Sequence, residues 1–406
     1  MDETALKGAL DGIRVIDLSR ILAGPWATQM LADFGAEVIK IERPGKGDDT
    51  RGWGPPFFGD GEHRVAAYFH SANRGKQSIA IDFTRPEGQQ LLRDMVREAD
   101  VLVENYKVDG LKKYGLDYDS LKAINPRLVY CSITGFGQTG PYKHRAGYDF
   151  MIQGMGGLMS VTGEPDGTPM KVGVALTDIL TGLYAANAVQ AALHFRASTG
   201  RGQHIDLSLL DVQVATMANQ AMNYLATGHS PVSLGNAHPN IVPYQAFATA
   251  DDYLILAVGN DGQFQRFCDV AGRPDLAADP SFATNQERVA HRETLLPVIT
   301  GLMKTQSRDW WLESLEAVSV PCGPINNLEQ VFADPQVQSR QLQRELEQPQ
   351  LGKVPSVANP IRFSESAVQY KRAAPSLGAD TDSVLTELLG CDEAQLALWR
   401  KQGIVG

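Results

Sequence analysis

The sequence predicts an α/β protein with a large Rossmann-like open-sheet domain and a smaller α+β domain. Three observations predict it. Short apolar runs alternate with helical periods over the first 130 residues, the mark of β-α-β units around a largely parallel sheet. Two apolar runs flanking a short acidic turn near residue 250 read as a hairpin, with helices after it. The chain has 406 residues, room for two to four domains.

The elements follow in order. Ile13 to Leu18 is a predicted strand, and Pro25 suits the first position of a helix carrying Ala27, Met30, Leu31 and Phe34 that Gly35 stops. Val38 to Ile41 is the next strand and Ser78 to Asp82 another. Pro86 opens a helix with Leu91, Leu92, Met95 and Val96 inward, and Val101 to Val103 and Leu128 to Thr134 are further strands. Two glycine-rich stretches follow, GFGQTG at 135–140 and GMGGLMSVTGEPDG at 154–167. A helix covers Asp178 to Ala197, and RGQH at 201–204 leads into a strand and a helix ending near Thr227. The stretch to Pro243 reads as a linker. Tyr244 to Ala248 and Tyr253 to Val258 form the hairpin, with helices at Gln263 to Val270, Glu287 to Met303, Asp309 to Ala317 and Thr381 to Gln402. The predicted domains are 1–229, 230–330 and a segment 331–406 that returns to the first.

Composition narrows the function. Hydrophobic residues are 43% and charged residues 21%, so the chain is folded and globular. The net charge of −10 disfavours nucleic acid and anionic membranes as partners. It is unevenly spread: 20 Lys and Arg face 21 Asp and Glu in residues 1–150, against 17 and 26 in 151–406, so an anionic ligand favours the first part. Cys131, Cys268, Cys322 and Cys391 show no C-x-x-C spacing, which points to a reducing compartment, the cytoplasm, and to no zinc. The start, MDETALKGALDG, lacks the apolar core of a secretory leader, and the segment from Ala175 to Leu193 is too polar to span a membrane.

The first β-α turn, SRILAGPW at 19–26, lies where an open sheet receives a nucleotide, but Gly24 alone does not make a G-x-G-x-x-G fingerprint, so a dinucleotide enzyme is disfavoured. Glu42 reads as a solvated strand-end acid. Arg43, Lys46, Arg51, Arg74, Lys76, Arg85, Lys107, Lys112 and Lys113 crowd the strand ends, and their clustering rather than any one of them is the signal. No histidine pair has metal-ligand spacing, and no G-x-S-x-G elbow occurs. Cys322, between prolines, reads as structural. Asp178, between the apolar runs Val172 to Leu176 and Ile179 to Leu180, allows two readings: a helix N-cap, or a carboxylate nucleophile in a desolvated site beside glycine-rich loops.

Taken together, DGIRVIDLSRILAGPWATQMLADFGAEVIKIERPGKGDDTRGWGPP at 11–56, NRGKQSIAIDFTRPEG at 73–88, DVLVENY at 100–106, RAGYDFMIQGMGGLMSVTGEPDG at 145–167 and STGRGQHIDLSLLDV at 198–212 resemble the class III CoA-transferases. The resemblance runs from about Gly12 to the C-terminus. It implies that Asp178 is the nucleophile and that Tyr148 and Asp149 sit near the reacting thioester. It implies further that Ile21, Leu22, Ala23, Arg43, Ile81, Asn105, Tyr106 and Lys113 contact coenzyme A, with Arg85 adjacent. Leu22 stands where formyl-CoA-type members carry glutamine, and Thr84 where they carry a basic residue, which argues against formyl and oxalate chemistry. GNAHPNIVPYQAF at 235–247 resembles the branch that acts on glutarate with succinyl-CoA. A dicarboxylate needs a cation or polar donors at its far end, and Arg145, Asn236 and His238 are the candidates. The family also implies an interlocked homodimer and no metal. The rivals are an α-methylacyl-CoA racemase of the same fold, disfavoured because Tyr148 stands where racemases carry histidine, and a non-catalytic acyl-CoA-binding protein.

Overall fold

The computed structural model describes residues 6–406. The first five residues, MDETA, which open the stretch read as lacking a leader's apolar core, lie outside the described residues. The chain divides into two compact units: the larger takes residues up to Leu158, Val172–Ala221 and Gln336–Gly406, and the smaller takes Met159–Lys171 and Met222–Pro335. The segment 159–171, expected in the first domain, belongs with the smaller unit.

The larger unit is built on six parallel strands: β1 (Arg14–Asp17), β2 (Glu37–Glu42), β3 (Gln77–Ala80), β4 (Val101–Glu104), β5 (Val129–Thr134) and β6 (Gln203–Ser208). Their spatial order is β3-β2-β1-β4-β5-β6. The order reverses between β1 and β4, so the loops leaving these two strands diverge and open a crevice at the carboxyl end of the sheet. Buried parallel strands are apolar on both faces, and Val15, Ile16, Val38, Ile39, Val101, Leu102 and Val103 are all buried.

Helix α1 (Ala23–Asp33) opens two residues before the expected start, with Pro25 at its third position. Gly35, at φ 105°, ends it as predicted, in a conformation that costs glycine little. Helix α2 (Pro86–Arg97) starts on its proline. Two further helices, α3 (Asp149–Met155) and α4 (Leu176–Thr199), follow β5. Helix α4 packs closely on α1 because Gly182 has no side chain: a Cβ there meets the Ala23 carbonyl oxygen at 2.7 Å. After β6 come α5 (Leu209–Ala215) and, in the smaller unit for most of its length, Ala218–Thr227.

The smaller unit holds a three-stranded antiparallel sheet, Tyr244–Ala248, Tyr253–Ala257 and Cys322–Pro324, covered by helices that include Asp261–Val270, Arg292–Met303 and Arg308–Ala317. The helix expected over Glu287 to Met303 is broken at His291 into two. Fully buried Arg288 donates to the carbonyls of Val242 and Phe282 and pairs with Asp261. Back in the larger unit, Gln343–Gln348 and Gly352–Val357 form a hairpin that the sequence does not announce. The final predicted helix is two, Thr381–Leu389 and Glu393–Lys401, separated by Gly390 in the left-handed region.

These last residues cover the free edge of β3. The Ser78 N–H donates to Asp380 Oδ2 at 2.9 Å and the Ala80 N–H to Thr381 Oγ1 at 3.1 Å. Beyond the strand, the Asp82 N–H donates to the Ile404 carbonyl and the Gly406 N–H to the Ala80 carbonyl. No helix among the described residues is long and apolar enough to cross a membrane.

Beneath the carboxyl ends of β1 and β2 lies a buried ionic network. Lys76 Nζ uses all three protons, on Asp17 Oδ2 (3.0 Å), Asn73 Oδ1 (2.9 Å) and the Pro25 carbonyl (3.0 Å). Asp17 also accepts from Ser19 and from Thr28 Oγ1. Lys40 pairs with Asp48 at 2.9 Å, and Arg51 grips Glu42 with two hydrogen bonds of 2.6 and 2.8 Å. Burial works to raise Asp17, but the ammonium groups of Lys76 and Lys40 outweigh it and hold the carboxyl at about 2. Removing one partner of such a pair leaves a bare charge in the interior, at a cost of about 3–5 kcal/mol. Lys76→Ala is therefore expected to lower the urea midpoint of unfolding strongly, whereas Asp17→Asn/Lys76→Met, which removes both charges, recovers more than half of the loss.

Candidate active site

The site starts at the loop after β1. Ile21, a β-branched residue, sits at φ 71°, a conformation such residues rarely adopt. Surrounding elements hold it there. The Asn105 amide clamps Arg20 from both sides, accepting from its N–H at 2.9 Å and donating to its carbonyl at 2.6 Å. Lys40 Nζ donates to the Ser19 carbonyl, and Asp48 Oδ1 accepts from the Ile21 N–H. The clamp crosses the β1/β4 switch point. Helix α1 starts immediately after it, and no side chain caps its first turn, leaving amide donors at a positive helix end.

A cavity of about 670 Å³ opens above this loop. Of the residues expected around coenzyme A and substrate, Ile21, Leu22, Ala23, Arg43, Ile81, Asn105, Tyr106, Lys113, Arg145, Tyr148 and Asp178 line it together. Arg85 is not in the wall; its guanidinium donates to the Gln402 carbonyl. Nor is Asp149, which lies against Asp178 from behind.

The strand-end cations separate into two sets. Arg51, Arg74 and Lys76 are tied to Glu42, Asp33 and Asp17, and belong to the fold. Glu42 is correspondingly buried rather than solvated. Arg43, Lys107 and Lys113 line the cavity, together with Lys143, and none of these four makes an ion pair among the described residues. Asp49 holds Lys46 at 3.3 Å. Unpaired cations along one wall suit a polyanion such as a phosphate ester.

Asp178 lines the same cavity, whose wall also includes Ile133, Leu209 and Tyr148. It is not the N-cap. Ala175 occupies that position without a capping side chain, and Asp178 is the third residue of α4. The cap comes from another helix: Asp149 Oδ1 accepts the Asp178 N–H at 3.2 Å. Asp149 Oδ2 accepts from Gln153 Nε2 at 2.7 Å. The adjacent Thr177 is locked by its hydroxyl on Gln213 Oε1 of α5 at 2.6 Å. Burial, reinforced by the Asp149 charge, pushes the Asp178 carboxyl up to about 7. Tyr68 also faces this pair; burial, then the charges of Asp178, Asp149 and Asp48, raises its phenol to about 12. Gln153, Gln213 and Tyr68 are absent from the sequence expectations. The four-residue spacing of Asp149 and Gln153, which puts both on one helix face, is the signal that could have found one of them.

Arg145 lies over the rings of Tyr142 and Phe136, at 4.5 and 5.2 Å. Asn236 and His238 belong to the smaller unit. There His238 Nδ1 accepts from the Asn240 N–H, and its ring packs edge-on against Tyr244. Burial and then Arg292 lower its pKa, so it is neutral near pH 7, with only Nε2–H left to donate. Among the described residues, no cluster of three or more His, Cys, Asp or Glu side chains could hold a metal ion.

A carboxyl whose proton affinity is higher folded than unfolded binds more protons in the native state between about pH 4 and 7. Its contribution to stability is present at low pH and lost as the pH rises through 7. Asp178→Asn should therefore raise the melting temperature at pH 8 and by less than half as much at pH 5; equal shifts at both would contradict the assignment.

Comparison with known proteins identifies the family. The sequence profile of CoA-transferase family III matches residues 10–381. The chain is 57% identical to a succinate–glutarate CoA-transferase of Agrobacterium fabrum, over 94% of this chain and 96% of that one. It is 42% identical to the human succinyl-CoA:glutarate CoA-transferase, over 98% of this chain and 90% of the relative. Among solved structures, a CAIB/BAIF family protein from Brucella suis superposes with a TM-score of 0.83 at 53% identity, covering 94% of this chain and all of that one. The chain belongs to CoA-transferase family III and is a CoA-transferase.

Proposed function

We propose that the enzyme moves coenzyme A from succinyl-CoA to glutarate, with Asp178 as the covalent nucleophile. The observation that carries this reading is a single cavity whose wall holds both a desolvated carboxyl and cations without ion pairs among the described residues. The names of the 57% and 42% identical relatives supply the substrates.

The Asp178 carboxylate attacks the thioester carbonyl, the C–S bond breaks, and a mixed anhydride forms beside the CoA thiolate. The thiolate attacks the aspartyl carbonyl, releasing succinate and leaving an aspartyl-CoA thioester. Glutarate attacks that thioester to form a second anhydride and expel the thiolate. The thiolate then takes the glutaryl group and restores the carboxylate. One thioester replaces another, so no ATP is consumed. Amide donors at the uncapped start of α1 and the strained Ile21 loop face the charge that develops on the carbonyl oxygen. Arg43, Lys107, Lys113 and Lys143 hold the phosphates. Ile21, Leu22, Ala23, Ile81, Asn105 and Tyr106 line the path between, while Arg85 supports the groove from outside. Arg145, in the same cavity wall, takes the far carboxylate of the acid.

Phe150, Met155, Tyr184 and Val214, on helices α3, α4 and α5 of the larger unit, and Val174 just before α4 are exposed apolar side chains. They support a homodimer, interlocked as the family implies. Four free thiols support a cytoplasmic protein.

Incubation with succinyl-CoA followed by hydroxylamine should leave the hydroxamate on Asp178 by mass spectrometry, and Asp178→Asn should abolish it. Exchange of an α-proton without an adduct would instead establish a racemase. Because the nucleophile must be ionised, kcat/KM should rise with pH along a limb near 7, and Asp149→Asn should move that limb lower. Arg145→Ala should raise KM for glutarate about tenfold or more, the scale of one lost charged contact. Unchanged glutarate kinetics in Arg145→Ala would remove it from the role.

A further inference from the structure

Gln153 is fully buried on α3, one turn beyond Asp149. Both ends of its amide are used. Nε2 donates to Asp149 Oδ2 at 2.7 Å and, at 3.4 Å, to the Val174 carbonyl, while Oε1 accepts the Val172 N–H at 2.9 Å. Val172 is where the chain re-enters the larger unit after the excursion 159–171, four residues before α4 begins. A hydrogen-bonded path thus runs from the returning backbone through Gln153 and Asp149 to the Asp178 N–H. Only a side chain that donates and accepts at once completes it. Glutamate cannot donate to Asp149, and an apolar side chain can do neither.

We infer that Gln153 is a positioning residue of the transfer reaction, which anchors the returning chain and orients Asp149 so that its carboxylate caps the first turn of α4 and faces Asp178. The role rests on Asp178 being the nucleophile. Gln153 does not line the cavity, so it acts through Asp149. The groups that face Asp178 are Asp149 on α3, Tyr68 from the segment before β3, and Tyr148 and Arg145, which share the cavity wall. The phenol of Tyr68, raised to about 12, stays protonated between about pH 5 and 9. The acid–base behaviour of Asp178 in that range is therefore set by burial and by Asp149.

The test uses the full-length wild type, Gln153→Glu, and the exchange Asp149→Asn/Gln153→Glu, assayed for succinyl-CoA to glutarate transfer across that pH range. Hydroxylamine trapping at Asp178 is followed in parallel. Gln153→Glu puts a second carboxylate against Asp149 and removes its donor. The expected result is a kcat about 10–100-fold lower, the scale of losing an orienting partner of a reactive group, with KM for succinyl-CoA changed less than about threefold and the pH limb moved upward. The exchange reverses the hydrogen bond: an amide at position 149 donates to a carboxylate at position 153, one negative charge remains, and the Val172 and Asp178 N–H groups keep acceptors. It should recover at least about tenfold in kcat and return the limb toward 7.

A Gln153→Glu enzyme within about twofold of wild type in kcat with an unmoved limb overturns the inference, as does an exchange variant no better than the single one. If the glutamate variant does not fold, Gln153→Met keeps the volume without either hydrogen bond, and a kcat for it within about twofold of wild type also overturns the inference. Absence of the Asp178 adduct in the wild type would instead defeat the nucleophile reading. An adduct formed by wild type and variant at one rate and one pH dependence defeats the role of Gln153 alone.

Discussion

The pairing of Asp17 with Lys76, and of Lys40 with Asp48, is the interaction on which the rest of the larger unit is arranged. All four side chains are withdrawn from water, where isolated charges are prohibitively unstable. The compensation is mutual and complete only in one geometry. Lys76 links β3 to β1 and to the Pro25 carbonyl of α1; Lys40 links β2 to the loop after β1. Glu42 and Arg51 extend the set toward β3 through Ser78. Such an assembly adds little net stability over an apolar core, but it disfavours other registers of β1, β2 and β3, because a slipped register strands a charge. The crevice at the switch point inherits that definition. Ile21 keeps an unfavourable conformation because its neighbours are fixed on three sides.

The electrostatics of the unit therefore operate at two levels. Buried charges cancel one another and give shape. Arg43, Lys107, Lys113 and Lys143 on the cavity wall make no ion pair among the described residues, and Asp178 is left with a repelling neighbour instead of a compensating one. A carboxyl held near neutrality is a stronger base and nucleophile than an ordinary one, at some expense in native-state stability. Amide groups of Gln153 and Gln213, rather than charges, fix the backbone around it, so the framework can be rigid without neutralising the reactive group.

Much of this is legible in the sequence. The strands and α2 follow from periodicity and from proline and glycine punctuation, because buried parallel strands are continuous apolar runs. Asp178 stands out as a lone carboxylate among apolar residues. Its reading as a cap fails because capping is a three-dimensional relation: Asp149, 29 positions earlier, supplies the acceptor. Cation clustering at strand ends is visible, but not which cations are consumed internally. Lys76 and Lys113 look alike in one dimension, and only the fold gives Lys76 a partner at β1. Membership of 159–171 in the smaller unit is likewise hidden, since glycine-rich composition specifies turning and not destination. The hairpin at 343–357 escapes notice because its strands are largely exposed, with polar residues on both faces.

The cover on β3 has a consequence for how the molecule is made. A sheet edge with open N–H and C=O groups is a template for pairing with another chain. Here the groups that close it come from Asp380, Thr381, Ile404 and Gly406, and the first of these contacts spans 302 positions. During synthesis the N-terminal strands collapse first, and β3 is the edge of a sheet whose seal has not yet been translated. The growing chain thus carries an adhesive flank for as long as it takes to make the 302 positions that separate Ser78 from Asp380.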